Sequence, residues 1–241
     1  MRMLTFARRN TKEILRDPIN LTFGLGFPLV LLLLLSIIQA NIPVALFELQ
    51  YLTPGITGFG LSFLTLFAAT LIAKDRSSAF LQRLYTTPLT AADFIFGYAL
   101  PIVPMAVVQS AICYLTATFL GLEVTVTMVY AIVCIVLISL LYIAIGLLCG
   151  SVLNDKQVGG ICGALLTNLS AWLSGIWFDL ELVGGTFQKI AYALPFVHAV
   201  KLEQAVLAGD FTNIFPHLWW VLGYATVCMA AAVVLFLRQM K

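Results

Sequence analysis

Long apolar runs alternate with short charged segments along the whole chain. Six of these runs contain no Asp, Glu, Lys or Arg, and the shortest has 22 residues: 21–47, 49–73, 94–122, 124–154, 157–178 and 211–237. A helix needs about 20 mainly apolar residues to cross the hydrocarbon core of a bilayer. The pattern therefore predicts an all-α integral membrane protein with six transmembrane helices, at about 20–39, 53–73, 94–119, 125–149, 157–177 and 214–237.

Two further segments have the pattern of helices that do not cross the membrane. Residues 3–17 place Arg8, Lys12 and Arg16 on one helical face, opposite an apolar face. This predicts a helix in the headgroup plane, and a plain basic flank of the first span is the alternative. Residues 187–208 are apolar in short stretches around Pro195, which predicts a re-entrant pair of short helices on the outer side.

The composition indicates a membrane protein, and the positions of the basic residues predict its orientation across the bilayer. The chain is 61% hydrophobic and 10% charged, whereas soluble domains have about 25% charged residues. Six spans put both termini on one side, and the segments of that side hold eleven of the thirteen basic residues. Both termini are therefore predicted to be cytoplasmic, in a multi-pass protein of a prokaryotic cell membrane. The net charge of +2 gives no support for nucleic-acid binding.

Residue types that could carry catalysis or bind metal are sparse. The five cysteines all fall inside predicted spans and form no C-x-x-C pair, so they are interpreted as small buried residues. His198 and His217 are interpreted as isolated, which predicts neither a metal site nor a catalytic pair. The spacings Gly146-x-x-x-Gly150 and Gly159-x-x-x-Gly163 favour close helix packing.

A charged insert at 74–90 separates the second and third runs. It predicts a short amphipathic helix at 76–86, parallel to the membrane on the cytoplasmic side. Its helical faces separate apolar from basic side chains: Phe80, Leu81, Leu84 and Tyr85 on one, Arg76 and Arg83 on another. Thr87-Pro88 ends the helix, because the residue before proline avoids the helical region. An ordinary solvated connection between spans is the alternative.

This insert resembles the corresponding segment of type-2 ABC transporter permeases. Those proteins carry an acidic–basic pair after span two, a short helix ending in Arg-Leu, and a closing Thr-Pro-Leu-Ser/Thr. The matching positions are Asp75-Arg76, Arg83-Leu84 and Thr87-Pro88-Leu89-Thr90. The basic segment 3–17 is similar to the family's elbow helix, and Ser78-Ala79 stand where many members carry Gly-Thr.

The resemblance implies the membrane subunit of an ATP-driven ABC exporter, which is not itself an enzyme. The chain has no G-x-x-x-x-G-K-[ST] loop, so ATP and Mg²⁺ would bind a separate ATPase subunit. Residues 76–86 would be the coupling helix that docks into that subunit. The implied contacts are Asp75, Arg76, Phe80, Arg83, Leu84 and Tyr85, with Asp155 and Lys156 in the second inner turn.

The family also implies two permease halves, as a homodimer or a heterodimer, around a path for cargo. The cargo would be hydrophobic or amphipathic, such as a drug in multidrug efflux, a peptide antibiotic or a lipid-linked compound. By similarity the candidate path residues lie on spans two and five: Thr57, Phe59, Ser62, Phe63, Asn168 and Trp172. The alternative is that the phenylalanines face lipid and the hydroxyl groups bond their own backbone.

Two other classes of function stay open at this point. An ATP-independent membrane enzyme or assembly factor would need polar catalytic residues gathered at one membrane face, and the spans have none. A secondary transporter driven by ions would need acids near the bilayer midplane. All six runs lack them.

Overall fold

The computed structural model describes residues 2–78, 80 and 90–239, and this part of the chain is helical without strands. Its helices are, in chain order, α1 (Arg2–Leu15), α2 (Pro18–Asn41), α3 (Leu49–Ser77), α4 (Ala91–Phe119), α5 (Val126–Val152), α6 (155–173), α7 (Leu180–Val183), α8 (Gly185–Ala193), α9 (Pro195–Ala208) and α10 (Phe211–Gln239). Both α2 and α6 contain a π-helical stretch, at Thr22–Gly26 and Gly159–Leu166. The expected all-α fold is confirmed.

Local sequence chemistry explains where these helices begin and end. Thr90 and Asp93 form a reciprocal capping box at the start of α4. Leu194 is extended because Pro195 follows it, and this residue separates α8 from α9 at the predicted bend. Gly209, with a φ of 72°, ends α9 in the left-handed conformation that glycine adopts without strain.

Five helices of the described chain are long and apolar enough to cross a membrane: α2, α3, α4, α5 and α10. The fifth apolar run, 157–178, forms most of α6, which is shorter and begins with the polar residues Asp155, Lys156 and Gln157. It is not among those five. The chain is therefore a multi-pass membrane protein.

Helix α3 occupies the centre of the bundle and packs against α2, α4, α5, α6 and α9. Its closest neighbour is α5, because Gly146 and Gly150 leave no side chain between the two backbones. A Cβ added at Gly146 would lie 2.6 Å from the carbonyl oxygen of Thr65. The close approach predicted for this glycine pair is therefore confirmed. A Cβ added at Gly159 would meet no atom of the described residues within 4 Å, so the close approach predicted for Gly159 is not found in that part of the chain.

Helix α6 runs antiparallel to α3 along most of the central helix. Val158 packs against Ala73, near the end of α3. Gly163 approaches the middle of α3, and Ile176, just beyond α6, contacts Gly55 near the start of α3. The segment 155–176 therefore passes from one end of the bundle to the other.

The two ends of the bundle carry different elements. The inner end, as we call it, is where α3 ends, α4 begins and α1 packs. Helix α10 also finishes there, because the Phe236 ring stacks on the Phe94 ring with centroids 3.7 Å apart. The opposite, outer end holds α9, where Thr127 Oγ1 donates to the carbonyl oxygen of Leu207 at 2.7 Å.

Candidate functional site

A buried carboxylate joins three helices at the inner end. Asp75 stands in the last turns of α3 and is only 2% exposed. Its Oδ2 accepts a hydrogen bond from Arg9 Nη1 of α1 at 2.6 Å and from the Tyr98 hydroxyl of α4 at 2.7 Å. A charged hydrogen bond of this kind is about twice as strong as a neutral one, so the pair fixes where α3 ends.

Two contacts to backbone carbonyls extend this cluster. Asn10 Nδ2 donates to the carbonyl oxygen of Gly97 at 3.0 Å, and Arg76 Nη1 donates to that of Gly150 at 3.0 Å. They tie α1 to α4, and the end of α3 to the end of α5. We call the side chains of Arg9, Asn10, Asp75, Arg76 and Tyr98 the inner platform.

The charged insert leaves α3 directly from this platform. The Arg9 guanidinium lies over the Phe80 ring, 4.2 Å from its centroid, and the Phe6 ring is 6.2 Å away. Phe80 is thus held by a cation–π contact and by an aromatic neighbour on α1. The other apolar and basic residues predicted for the coupling helix lie outside the described residues: Leu81, Arg83, Leu84 and Tyr85.

The second inner turn presents its charges to the surface. Asp155 and Lys156 are both exposed in the first turn of α6. Asn154 and Gln157 hold this turn through a capping box, with bonds of 2.9 Å and 3.0 Å. Asp155 and Lys156 are therefore accessible, whereas Asp75 is buried and Arg76 is half-buried with its guanidinium bonded to the protein.

Four of the six candidate path residues lie inside the chain. Thr57 and Ser62 are fully buried. Thr57 Oγ1 donates to Glu203 Oε1 at 2.5 Å, and Ser62 Oγ donates to the carbonyl oxygen of Phe59 at 2.6 Å. The rings of Phe59 and Phe63 are also buried and meet edge to face, 5.5 Å apart.

The other two path candidates lie on the surface of α6. Asn168 and Trp172 are exposed. Ala164 and Gly160, one and two turns before Asn168, are exposed along the same side of the helix. Asn168 Nδ2 donates to the carbonyl oxygen of Ala164 at 2.7 Å, so the amide bonds its own helix. We call the stripe of Gly160, Ala164, Asn168 and Trp172 the open face of α6. The structure does not bring the six candidates onto one surface.

Two features were missed or misinterpreted from the sequence. Glu203, which belongs to the segment 187–208 predicted for the outer side and was not singled out there, is fully buried in α9. The histidines are not isolated, because His198 Nδ1 lies 2.8 Å from His217 Nδ1. No group of three His, Cys, Asp or Glu that could hold a metal occurs in the described ranges. One available signal was that the residues three and four positions from Glu203 on α9 are all apolar: Ala199, Val200, Val206 and Leu207.

These features by themselves define the class of protein. Membrane-length helices surround a central helix, and charged residues gather at one end, as in a multi-pass membrane protein. A family model described as ABC-2 type transporter matches residues 1–207. The chain belongs to this family of transporter membrane components, and the resemblance found in the sequence is confirmed. A comparison with curated proteins gave no match.

The Arg9–Asp75 pair should couple more strongly than the exposed pair beside it. In a double-mutant cycle of Arg9→Gln and Asp75→Asn, we expect a coupling of about 0.5–3 kcal/mol, as for residues in one bonded network. The matched control is Lys74→Gln with Asp17→Asn, whose charges lie 3.8 Å apart and are partly exposed. That cycle should give about 0.2–1 kcal/mol. Unfolding of the purified protein in detergent measures both, and equal couplings would contradict a special role for Asp75.

Proposed function

We propose that this chain is the membrane-spanning subunit of an ATP-driven exporter for a hydrophobic or amphipathic cargo, such as a drug, a peptide antibiotic or a lipid-linked compound. The observation that carries the proposal is the inner platform, which fixes the start of the insert in a family of transporter membrane components. ATP and Mg²⁺ would bind a separate ATPase subunit, since these 241 residues contain no phosphate-binding G-x-x-x-x-G-K-[ST] loop.

The start predicted for the coupling helix at residue 76 is wrong, because α3 continues to Ser77 and Ser78 is extended. We assign the coupling helix that docks into that ATPase to the rest of 76–86. Asp75 and Arg76 bond to other helices of this chain, so we assign them the role of holding the insert in place. Phe80 has the same role, through its contact with Arg9.

Direct contact with the ATPase then falls to the rest of the insert and to the neighbouring inner turn. We assign it to Arg83, Leu84 and Tyr85, together with the exposed Asp155 and Lys156. An apolar anchor flanked by basic residues suits a cleft with an acidic rim, because complementary charge speeds association and fixes orientation.

Leu84→Asp or Arg83→Glu should detach the ATPase and leave membrane insertion intact. We expect at least about a tenfold loss of co-purified ATPase, because burying an unpaired carboxylate costs more than the roughly 1.4 kcal/mol that corresponds to a factor of ten. The matched controls are Leu182→Asp and Lys189→Glu, both exposed on the outer segment. The measurement is the ratio of ATPase to permease after affinity purification from membranes. Unchanged ratios for the two insert variants would contradict the docking role.

We further propose that α6 is a sixth crossing and that both termini are cytoplasmic. Support comes from α6 following α3 from the inner to the outer end. Helix α10, which would be the last crossing, finishes at the inner end beside α4. Helix α1 would be the elbow helix in the headgroup plane, since Arg8, Lys12 and Arg16 are exposed at that end.

Thiol labelling on the two sides of α6 tests this topology. In a variant with the five native cysteines replaced, Lys156→Cys should react with a membrane-impermeant reagent only from the cytoplasmic side. Asp179→Cys should react only from outside, and so should Glu123→Cys in the exposed turn between α4 and α5. Labelling of positions 156 and 179 from the same side would show that α6 does not cross.

The cargo path would lie between two permease copies, in a homodimer or a heterodimer, with the open face of α6 toward the partner. The support is that Asn168 and Trp172 are exposed on this face. Phe59 and Phe63 would form a wall behind them, where Ala171 of α6 packs on both rings. Thr57 and Ser62 would not line the path in this conformation, since both are buried and bonded within the chain.

Cross-linking tests whether the open face of α6 meets a second copy. In the cysteine-replaced background, Asn168→Cys should give a disulfide-linked dimer in oxidised membranes, because a face shared across a symmetric interface meets its own copy. The control is Val227→Cys on α10, which is 68% exposed on another surface. We expect a dimer band from position 168 and none from position 227. Equal yields, or no dimer from position 168, would count against this arrangement.

A further inference from the structure

A network of buried polar groups joins α9 to the outer half of α3 and α4. Glu203 Oε1 accepts hydrogen bonds from the hydroxyl groups of Thr57 at 2.5 Å and Tyr114 at 2.7 Å. Gln109 Nε2 extends the network by donating to the carbonyl oxygen of Thr57 at 3.4 Å. All four side chains are at most 1% exposed, so no water surface reaches the carboxyl group.

Within the described part of the chain, no basic side chain forms an ion pair with this carboxyl group. The basic residues of α9 point to other partners: His198 bonds to His217, and Lys201 bonds to the Tyr192 hydroxyl. The charged residues of α3, namely Lys74, Asp75 and Arg76, stand at its inner end. The titratable groups that interact electrostatically with Glu203 are Tyr114 and Cys113 of α4 and Cys134 and Tyr142 of α5. None of these can supply a positive charge.

The second oxygen of the carboxyl group lacks a hydrogen-bond partner, and so do other polar atoms on α3 and α4. Glu203 Oε2 is buried without a hydrogen bond, and so are Gln109 Oε1, Ser110 Oγ and Thr53 Oγ1. Ser110 stands one turn before Tyr114, and Thr53 one turn before Thr57, so these atoms border the same network. An ionised carboxyl can only accept hydrogen bonds, whereas a protonated one also donates. A proton on Oε2 would let the carboxyl group donate a hydrogen bond from its unpartnered oxygen.

Burial also favours the protonated form of the Glu203 carboxyl group. It raises the pKa of the Glu203 carboxyl to about 8, although the bonds from Thr57 and Tyr114 act in the opposite direction. Desolvation disfavours the charged form of an acid that has no cationic partner.

We propose that Glu203 is a proton-binding site that fastens α9 to α3 and α4. In its neutral form the carboxyl group stays in the apolar interior and keeps its bonds to Thr57 and Tyr114. When it ionises, the unpaired charge favours withdrawal of α9 from the bundle, because water would then reach it. The ligand of this site is a proton, and the segment that it holds is the outer helix pair α8–α9.

Infrared difference spectroscopy of the full-length protein in detergent observes the proton directly. Between acidic and alkaline samples, we expect the carbonyl stretch of a protonated carboxylic acid to disappear with a midpoint about three pH units or more above that of an ordinary Glu. Labelling glutamate with ¹³C should shift this band, and Glu203→Gln should remove it. Absence of the band from the wild-type protein at neutral pH would overturn the proposal.

Tyr114→Phe tests whether the titrating group is a carboxyl that accepts a hydrogen bond from Tyr114, as opposed to a buried acid without this bond. This variant removes a donor that favours the ionised form, so the midpoint should move to still higher pH. It keeps the aromatic ring, and so most of the packing. An unchanged midpoint would overturn the assignment of the titration to Glu203 in this network.

The pH dependence of stability gives a second measurement on the same protein. A raised pKa in the folded state means that the stability from Glu203 is complete below the ordinary Glu pKa of 4.5 and is lost as pH rises toward about 8. The melting temperature of Glu203→Gln should therefore rise relative to that of the wild type across this pH window. Above the window the difference between the two should stay constant. The control, Glu181→Gln, alters an exposed outer glutamate and should run parallel to the wild type. Parallel profiles for Glu203→Gln would overturn the proposal, and so would a wild-type profile that depends on sodium instead of choline, which would indicate a bound metal cation.

Discussion

The enclosure of α3 by protein on nearly all sides is the constraint on which the other contacts depend. Lipid does not drive helices together as water does, so helices in a bilayer associate by close packing. The glycines of this chain provide that packing around α3. Gly146 and Gly150 bring α5 onto its backbone, and a Cβ added at Gly58 or Gly60 would touch Val200 of α9 or the side chain of Gln109. Neighbours that approach this closely leave no room for water or lipid against most of α3.

An enclosed helix must satisfy its polar groups with protein partners. At the inner end Asp75 accepts hydrogen bonds from Arg9 and Tyr98, and toward the outer end Thr57 donates one to Glu203. The same helix is therefore bonded to α1 and the insert at one end and to α9 at the other. A packed helix is stiff, so a displacement imposed on the insert by a docked partner would reach the outer segment through α3. Contiguous packing along α3 is sufficient for such coupling, without a defined pathway of individual residues.

The sequence predicts the helices well because charge is expensive in a bilayer, so charge-free runs mark the segments that avoid water. The same rule fails for Glu203. It assigns every charged residue outside the runs to water, and it cannot register that α9 folds back into the bundle. Thr57 illustrates a related failure, because periodicity places it on a face of α3 but does not say which element covers that face. The pairing of His198 with His217, 19 residues apart, depends in the same way on how α9 meets α10.

The Asp75-Arg76 motif shows what a family resemblance adds and what it leaves out. It marks both residues as important, yet the pattern alone does not reveal that one side chain bonds to α1 and α4 and the other to the end of α5. The physical reason is that a short polar side chain at a helix end can turn toward the bundle or toward the solvent. Here Arg9 and Tyr98 offer donors on the bundle side, and two charged or polar donors on one carboxylate oxygen outweigh the loss of its hydration.

The two buried acids are balanced by different means, and this distinguishes the two ends of α3. Asp75 is paired with the guanidinium of Arg9, which remains charged at any physiological pH. Glu203 has only hydroxyl donors and, with the proton proposed for it, depends on the acidity around the outer segment. Breaking either contact leaves a polar group in the interior, and at Glu203 the loss of the proposed proton would be enough to weaken the contact. The inner end is therefore suited to hold a fixed docking geometry, whereas at the outer end α9 can separate from α3 and α4.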